Sequence, residues 1–147
     1  MRLLVTGATG FLGQELVPRL RKAGHQVHCL SRHGPLVGDI TQYNLGLKRV
    51  PRIDAVLHLA ALVSFREADR EALFQMNSRG TLNVIAFCRR HHIPRLIHVS
   101  TAYICGDARG LWNEGDVDRR QRFKNSYEQS KFWGEAYVRE AVHNKVL

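Results

Sequence analysis

The opening stretch MRLLVTGATGFLG constrains this chain more than any other part of it. Arg2 to Thr6 is a short apolar run that stops at a glycine, the pattern of a buried strand. Gly7, Gly10 and Gly13 follow at even spacing, and from Phe11 apolar residues recur at helical spacing (Phe11, Leu12, Leu16, Val17, Leu20) until Gly24. A strand that runs straight into a helix must cross over to a parallel partner, because no hairpin is available to it. The same alternation continues. Gln26 to Leu30 predicts a second strand, and HGPLVGDI leaves room only for a stunted third around Leu36 to Gly38. AVLHLAA, from Ala55, predicts a fourth and RLIHVST, from Arg95, a fifth. Roughly Glu67 to Arg90 predicts a helix interrupted near Ser78, Arg79 and Gly80, and a last helix runs from about Ser126 to Val142. Strands alternating with helices imply an α/β fold, a doubly wound parallel sheet with helices on both faces. At 147 residues the chain fits one domain with a core of its own.

The formal charge of +9 invites a nucleic-acid reading, but the basic residues are scattered over PRLRK, CRRHH and DRRQRFK. No nucleic-acid-binding motif accompanies them, so an anionic cofactor or an acidic protein partner is expected instead. The N-terminal apolar run is too short for a signal peptide and no later one reaches membrane-spanning length. No membrane contact is expected. Cys29, Cys88 and Cys105 are odd in number, widely spaced and without a C-x-x-C pair. They read as small buried hydrophobes in a reducing compartment, with no disulfide framework and no metal site. A soluble, cytoplasmic protein is the expectation.

The loop G-x-x-G-x-x-G carries one residue more than the G-x-G-x-x-G dinucleotide fingerprint, and the same physics applies to it. One glycine permits the tight turn, another lets backbone approach a pyrophosphate, and the third lets helix and strand pack closely. The helix N-terminus then offers free N–H groups and a positive dipole to phosphate. At the end of the second strand stand Ser31 and Arg32, with no carboxylate for a ribose 2′-hydroxyl. That favours NADP over NAD. Far along the chain, NSYEQSKFWGE puts Tyr127 and Lys131 at i and i+4, on one helix face. An ammonium beside a phenol favours the phenolate, which suits general acid–base chemistry.

Taken together these segments resemble, over essentially the whole chain, the extended short-chain dehydrogenases/reductases of the NAD-dependent epimerase/dehydratase superfamily. TGATGFLG (Gly7, Thr9, Gly10, Phe11, Leu12, Gly13) is similar to that family's phosphate loop, and VGDI (Asp39, Ile40) to its adenine-contacting element. HLAA (Leu59, Ala60, Ala61) resembles the fourth-strand motif lining the cofactor, and NSRGT resembles the helix motif at Asn77. STAYICG and YEQSK resemble the pair of catalytic segments. The resemblance implies a Rossmann-like sheet of order 3-2-1-4-5 and hydride transfer from NADP(H) to a carbonyl. It implies that Tyr127 gives the proton, that Thr101 hydrogen-bonds the oxygen, and that Lys131 tunes the phenol and holds the nicotinamide ribose. Ser100 is a weaker match than Thr101.

GDITQYNLGL, STAYICG and NSYEQSKFWGEAYV look most like the thioester reductase and fatty acyl-CoA reductase branch, the male-sterility type. That branch implies reduction of an acyl thioester, CoA- or carrier-bound, to an aldehyde, and an acidic acyl carrier protein would suit the basic surface. The rival branch, nucleotide-sugar epimerases and dehydratases, usually prefers NAD. Two departures from the family stand out. The short gap between Arg32 and Asp39 predicts that the third strand and its preceding helix are reduced or absent, and the chain reaches Leu147 soon after the catalytic helix. Residues 1–147 are therefore expected to be the NAD(P)-binding Rossmann domain, lacking the family's C-terminal strands and substrate region. The fifth strand, with Leu96, Ile97 and Val99, would be an edge open to a homo-oligomer or a partner chain. A non-catalytic NADP(H)-binding sensor or scaffold is the alternative.

Overall fold

A computed structural model describes residues 1–145, all but the last two of the expected domain. Five parallel strands, β1 (Arg2–Thr6), β2 (Gln26–Ser31), β3 (Leu36–Val37), β4 (Ala55–His58) and β5 (Leu96–His98), form one sheet in the order 3-2-1-4-5. The central strand β1 pairs Leu3 with Val27 on one side and with Ala55 on the other. Its residues 3–6 are all buried, as a strand covered on both faces requires.

Alternation along β1 divides the core. Leu3 and Val5 point to the face covered by α1 (Phe11–Lys22), where Val17, Ala55 and Leu57 complete the packing. Leu4, with Leu30 and Val56, points to the other face, against Val84, Phe87 and Cys88 of α3 (Gly80–Arg90). Burying a side chain of this size stabilises by about 1.5–3 kcal/mol, so these two layers hold the strands in register. Helix α1 ends where expected: Arg19, Arg21 and Lys22 fill its last turn and Gly24 leaves it at φ +83°.

Strand β3 is only two residues long and pairs Leu30 with Leu36 and Ser31 with Val37. A short hook of residues 32–35 replaces the helix that normally joins such strands. The predicted helix over Glu67–Arg90 begins as a 3-10 turn (Glu67–Asp69) and a single turn of α2 (Arg70–Leu73), then widens into a π-helical segment over Phe74–Arg79 before α3. The interruption thus lies ahead of Gly80, not at it. Gly80 has helical dihedrals, and its missing side chain makes room for Ile40, whose Cδ1 would stand 2.8 Å from a Cβ. The glycine marks close packing, which a sequence reads as a break.

The last helix, α4 (Ser126–His143), is fixed at its first turn by a reciprocal cap. Asn125 Oδ1 accepts from the Glu128 N–H at 2.9 Å, and Glu128 Oε2 accepts from the Lys124 N–H at 2.9 Å. Helix α4 lies directly on the π-helical segment: a Cβ at Gly134 would stand 2.6 Å from the Asn77 carbonyl oxygen. Of the three free cysteines only Cys88 is fully buried, and burial pushes its thiol up to about 12; Cys29 and Cys105 are half-buried. Strand β5 pairs with β4 alone, and its Ile97 side chain is 55% exposed while Leu96 packs against the core. Among the described residues no helix is long and apolar enough to cross a membrane.

Candidate active site

The carboxyl ends of the strands converge on the glycine loop. Gly7 has φ +70°, and a Cβ there would lie 2.6 Å from the Ala60 nitrogen. Both the turn and the approach of β4 therefore demand glycine. Gly13 is buried, and a Cβ there would lie 2.6 Å from backbone atoms of Ala8. Gly10 differs. A Cβ there would meet only the Gly7 carbonyl oxygen, at 3.3 Å, a tight contact that a shift of a few tenths of an ångström relieves. It faces two clefts that meet at the loop, both lined by Gly7, Gly10, Leu59 and Ala61. Helix α1 begins beside it with no side-chain cap and no acidic residue in its first turn. Uncapped N–H groups behind a cleft that a Cβ would fill suit a pyrophosphate.

The first cleft runs toward the tips of β2 and β3 and is lined by Thr9, Ser31, Arg32, Asp39, Ile40 and Ala60 among others. Arg32 is exposed, and Ser31 spends its hydroxyl on the His33 carbonyl at 2.8 Å. Asp39 accepts through Oδ1 from both the N–H and the hydroxyl of Thr41, each at 2.8 Å. The carboxylate is thus held at the cleft wall by its own turn.

A row of hydrogen bonds that the sequence reading passed over supports the cleft floor. Thr81 donates its hydroxyl proton to the Asn77 carbonyl at 2.7 Å, so toward His58 Nε2, at 3.1 Å, its oxygen can only accept. His58 Nε2 therefore carries the ring hydrogen, and Nδ1 accepts from the Thr6 hydroxyl at 2.8 Å. Thr6 Oγ1 in turn accepts from the Ala60 N–H at 3.2 Å. Burial pushes the His58 pKa well below its ordinary value, with the charges of His98 and Lys131 acting the same way. Only the His in HLAA hinted at this row, and its threonine partners are distant in sequence.

Asn77, expected beside the cofactor, lines neither cleft. Its Oδ1 accepts from the Leu62 N–H at 2.8 Å, and its Nδ2 donates to the Leu62 carbonyl at 2.9 Å and to Ser130 Oγ at 3.0 Å. Ser130 donates onward to the Tyr127 carbonyl at 2.8 Å. Asn77 is a clamp between the loop after β4 and helix α4. Its side chain is buried and fully bonded within the protein, which removes it from direct ligand contact.

The second cleft brings together Phe11, Leu12, Thr101, Tyr127 and Lys131, from three separate segments. Tyr127 and Lys131 are both buried. Lys131 Nζ donates to the Val99 carbonyl at 2.8 Å, and burial lowers its pKa to about 8, against a small opposing effect from Glu135. Thr101 caps a 3-10 turn (Ala102–Cys105) and accepts through Oγ1 from the Tyr103 N–H at 3.3 Å, which leaves its own proton free. Ser100 also lines this cleft, with a buried hydroxyl that has no partner among the described residues. His98, two residues earlier, has both ring nitrogens buried and unpartnered among the described residues. Burial, helped by Lys131, lowers the His98 pKa to about 4.

Known proteins match this arrangement. The profile of the NAD dependent epimerase/dehydratase family matches residues 3–146. A putative dihydroflavonol 4-reductase of Synechocystis sp. is 31% identical over 89% of this chain and 42% of its own length. A 2-alkyl-3-oxoalkanoate reductase of Stenotrophomonas maltophilia is 39% identical over 69% of this chain and 33% of its own length. The terminal R domain of the myxalamid PKS-NRPS biosynthetic pathway superposes with a TM-score of 0.86 at 28% identity, over 97% of this chain and 45% of that one. The chain thus spans less than half the length of each of these relatives. A glycine loop between β1 and α1, a sheet of order 3-2-1-4-5 and the matching profile agree: the chain belongs to the NAD dependent epimerase/dehydratase family.

Proposed function

We propose that this chain is the cofactor-binding and proton-donating part of an NADP(H)-dependent reductase that converts an acyl thioester, CoA- or carrier-bound, to an aldehyde. The observation that carries the reading is the second cleft, where Thr101, Tyr127 and Lys131 share a wall beside the glycine loop. A bound nicotinamide dinucleotide supplies the hydride. Tyr127 gives its proton to the carbonyl oxygen as negative charge develops there, and the free Thr101 hydroxyl proton stabilises the same oxygen. With a thioester this gives a thiohemiacetal, whose C–S bond then breaks to release the aldehyde and the thiol, the hydroxyl proton passing to the departing sulfur. Lys131 spends one N–H on Val99 and keeps two for the phenol and for a ribose hydroxyl. With its pKa lowered to about 8, it can return a proton to the phenolate and regain one from water near neutral pH.

The thioester reading draws support from the likeness to the myxalamid R domain and from the net charge of +9, which suits an acidic acyl carrier protein. A second reading, reduction of a ketone to a secondary alcohol by the same residues, is favoured by the 39% identity to the 2-alkyl-3-oxoalkanoate reductase. Arg32, exposed at the first cleft, favours NADP over NAD through its 2′-phosphate.

The test is NADPH consumption by the purified chain with an acyl-CoA and with a 3-oxo ester, identifying the products. Aldehyde supports the thioester reading, and alcohol from the 3-oxo ester supports the ketone reading. Tyr127→Phe should abolish either while leaving NADPH affinity nearly intact. NADPH bound but never consumed would make the chain a cofactor sensor or scaffold instead. By calorimetry NADPH should bind at least several-fold more tightly than NADH, and Arg32→Ala should erase most of that difference; equal affinities in the unaltered chain would overturn the cofactor choice.

A further inference from the structure

We infer that Phe65 and Tyr103 form an aromatic collar that selects a substrate whose carbonyl adjoins an apolar body, an alkyl chain or a ring, and disfavours a sugar nucleotide; the inference rests on the reductase reading of the same site. Phe65 stands in the loop after β4 and Tyr103 in the turn after β5. Their rings and that of Tyr127 meet pairwise edge to face. Phe65 lies 5.6 Å from Tyr127, and Tyr103 lies 6.5 Å from each of the other two, with interplanar angles of 76–88°. Tyr127 is buried, yet Phe65 is 61% and Tyr103 56% exposed.

Two large rings left in water contribute little to the core, and they do not stand alone. Phe11, Leu12 and Val63, which line the second cleft, are 88%, 51% and 61% exposed. Phe65 and Tyr103 do not line that cleft; they adjoin it through the ring of Tyr127, which does. Exposed apolar side chains in and beside one cleft are the mark of a ligand groove. Charge points the same way. Among the described residues Lys131 is the one charged residue lining that cleft, and it donates to Val99; Arg66, next to Phe65, is paired with Asp69 at 2.8 Å. The described residues of this cleft offer a diphosphate no cation but Lys131, whereas an apolar body would cover the rings. An aromatic contact contributes about 0.5–1.5 kcal/mol beyond area, so removing one ring should weaken binding roughly two- to tenfold.

Calorimetric titration of the protein with NADP+ present at saturation tests this, using 2-acetonaphthone as the apolar ketone and UDP-glucose as the sugar nucleotide. The ketone should bind more tightly than UDP-glucose. Phe65→Ala and Tyr103→Ala should each weaken the ketone roughly two- to tenfold, and Phe65→Leu less than Phe65→Ala. Neither alanine variant should change NADP+ affinity, and each should lower the melting temperature by only a few degrees, since the rings are exposed and lose edge contacts alone. Ketone affinity unchanged in both variants, no ketone binding by the unaltered protein, or tighter binding of UDP-glucose would each overturn the collar. Ketone binding that responds to Phe65→Ala without turnover of any carbonyl would overturn the reductase reading and leave the collar standing.

Discussion

Lys131 Nζ lies 2.8 Å from the carbonyl oxygen of Val99, so the last helix is bonded to the end of β5 through a residue that lines the same cleft as Tyr127. The bond anchors the amine, and burial makes its charge costly: the Lys131 pKa falls from 10.5 to about 8. Between those values the unfolded chain holds the proton and the folded one has released it. Stability conferred by this group is therefore fully present above pH 10.5, falls as the pH drops toward 8, and is constant below. Relative to Lys131→Met, the unaltered protein should gain on the order of 3 kcal/mol from pH 8 to pH 10.5, measured by denaturant unfolding at each pH. Parallel profiles would show that the buried amine is already relaxed.

His98 should produce an acid-side counterpart. Its pKa is about 4 in the fold against 6.5 outside it, so its contribution is present above pH 6.5 and is lost as the pH falls to about 4. His98→Phe should flatten the stability profile over that window by up to about 3 kcal/mol. Thermal melts of the two proteins across the window provide the comparison.

Two glycines of the loop should behave differently when replaced. Gly13→Ala drives a methyl into Ala8 and should destabilise the fold by about 1–3 kcal/mol. Gly10→Ala meets nothing closer than 3.3 Å and should keep the melting temperature within a few degrees, yet it should weaken NADPH tenfold or more because the methyl enters the cleft. Paired melting and calorimetric measurements separate the two effects. Loss of stability without loss of affinity at Gly10 would contradict the cradle.

Asn77→Leu removes three hydrogen bonds and leaves both backbone groups of Leu62 unpaired in a half-buried loop. A cost of about 2–4 kcal/mol is expected. Because the side chain lines neither cleft, NADPH affinity measured well below the melting temperature should fall far less than it does in Gly10→Ala.

The positions of the strands, the shortened β3 and the Tyr127–Lys131 pair were legible because each rests on local pattern, whereas the strand order and the residues expected at the cofactor came from the resemblance of whole motifs. A strand ending at glycine, helical spacing after it, and an i, i+4 pair are all signals within a dozen residues. Asn77 shows the limit. Its motif was visible, but whether its amide turns toward a ligand or into the protein depends on Leu62 and Ser130, which only the fold brings near. Gly80 shows another: a glycine demanded by Ile40 across the core looks the same in sequence as one that ends a helix. The collar was hidden for a third reason. Phe65 and Tyr103 lie in loops without periodicity, and their meeting over Tyr127 is a property of two strand ends.

The hydrogens between Ala60 and Asn77 all point one way, from the Ala60 N–H through Thr6, His58 and Thr81 to the Asn77 carbonyl. Such a row has no second arrangement that keeps every partner. Were His58 to gain a proton, both ring nitrogens would donate, the Thr6 hydroxyl would lose its acceptor, and a buried donor would be stranded under the cleft floor. The row therefore holds this histidine neutral by geometry as well as by burial. A residue type usually associated with proton traffic serves here as a one-way strut, and the charge in this part of the molecule is left to Lys131.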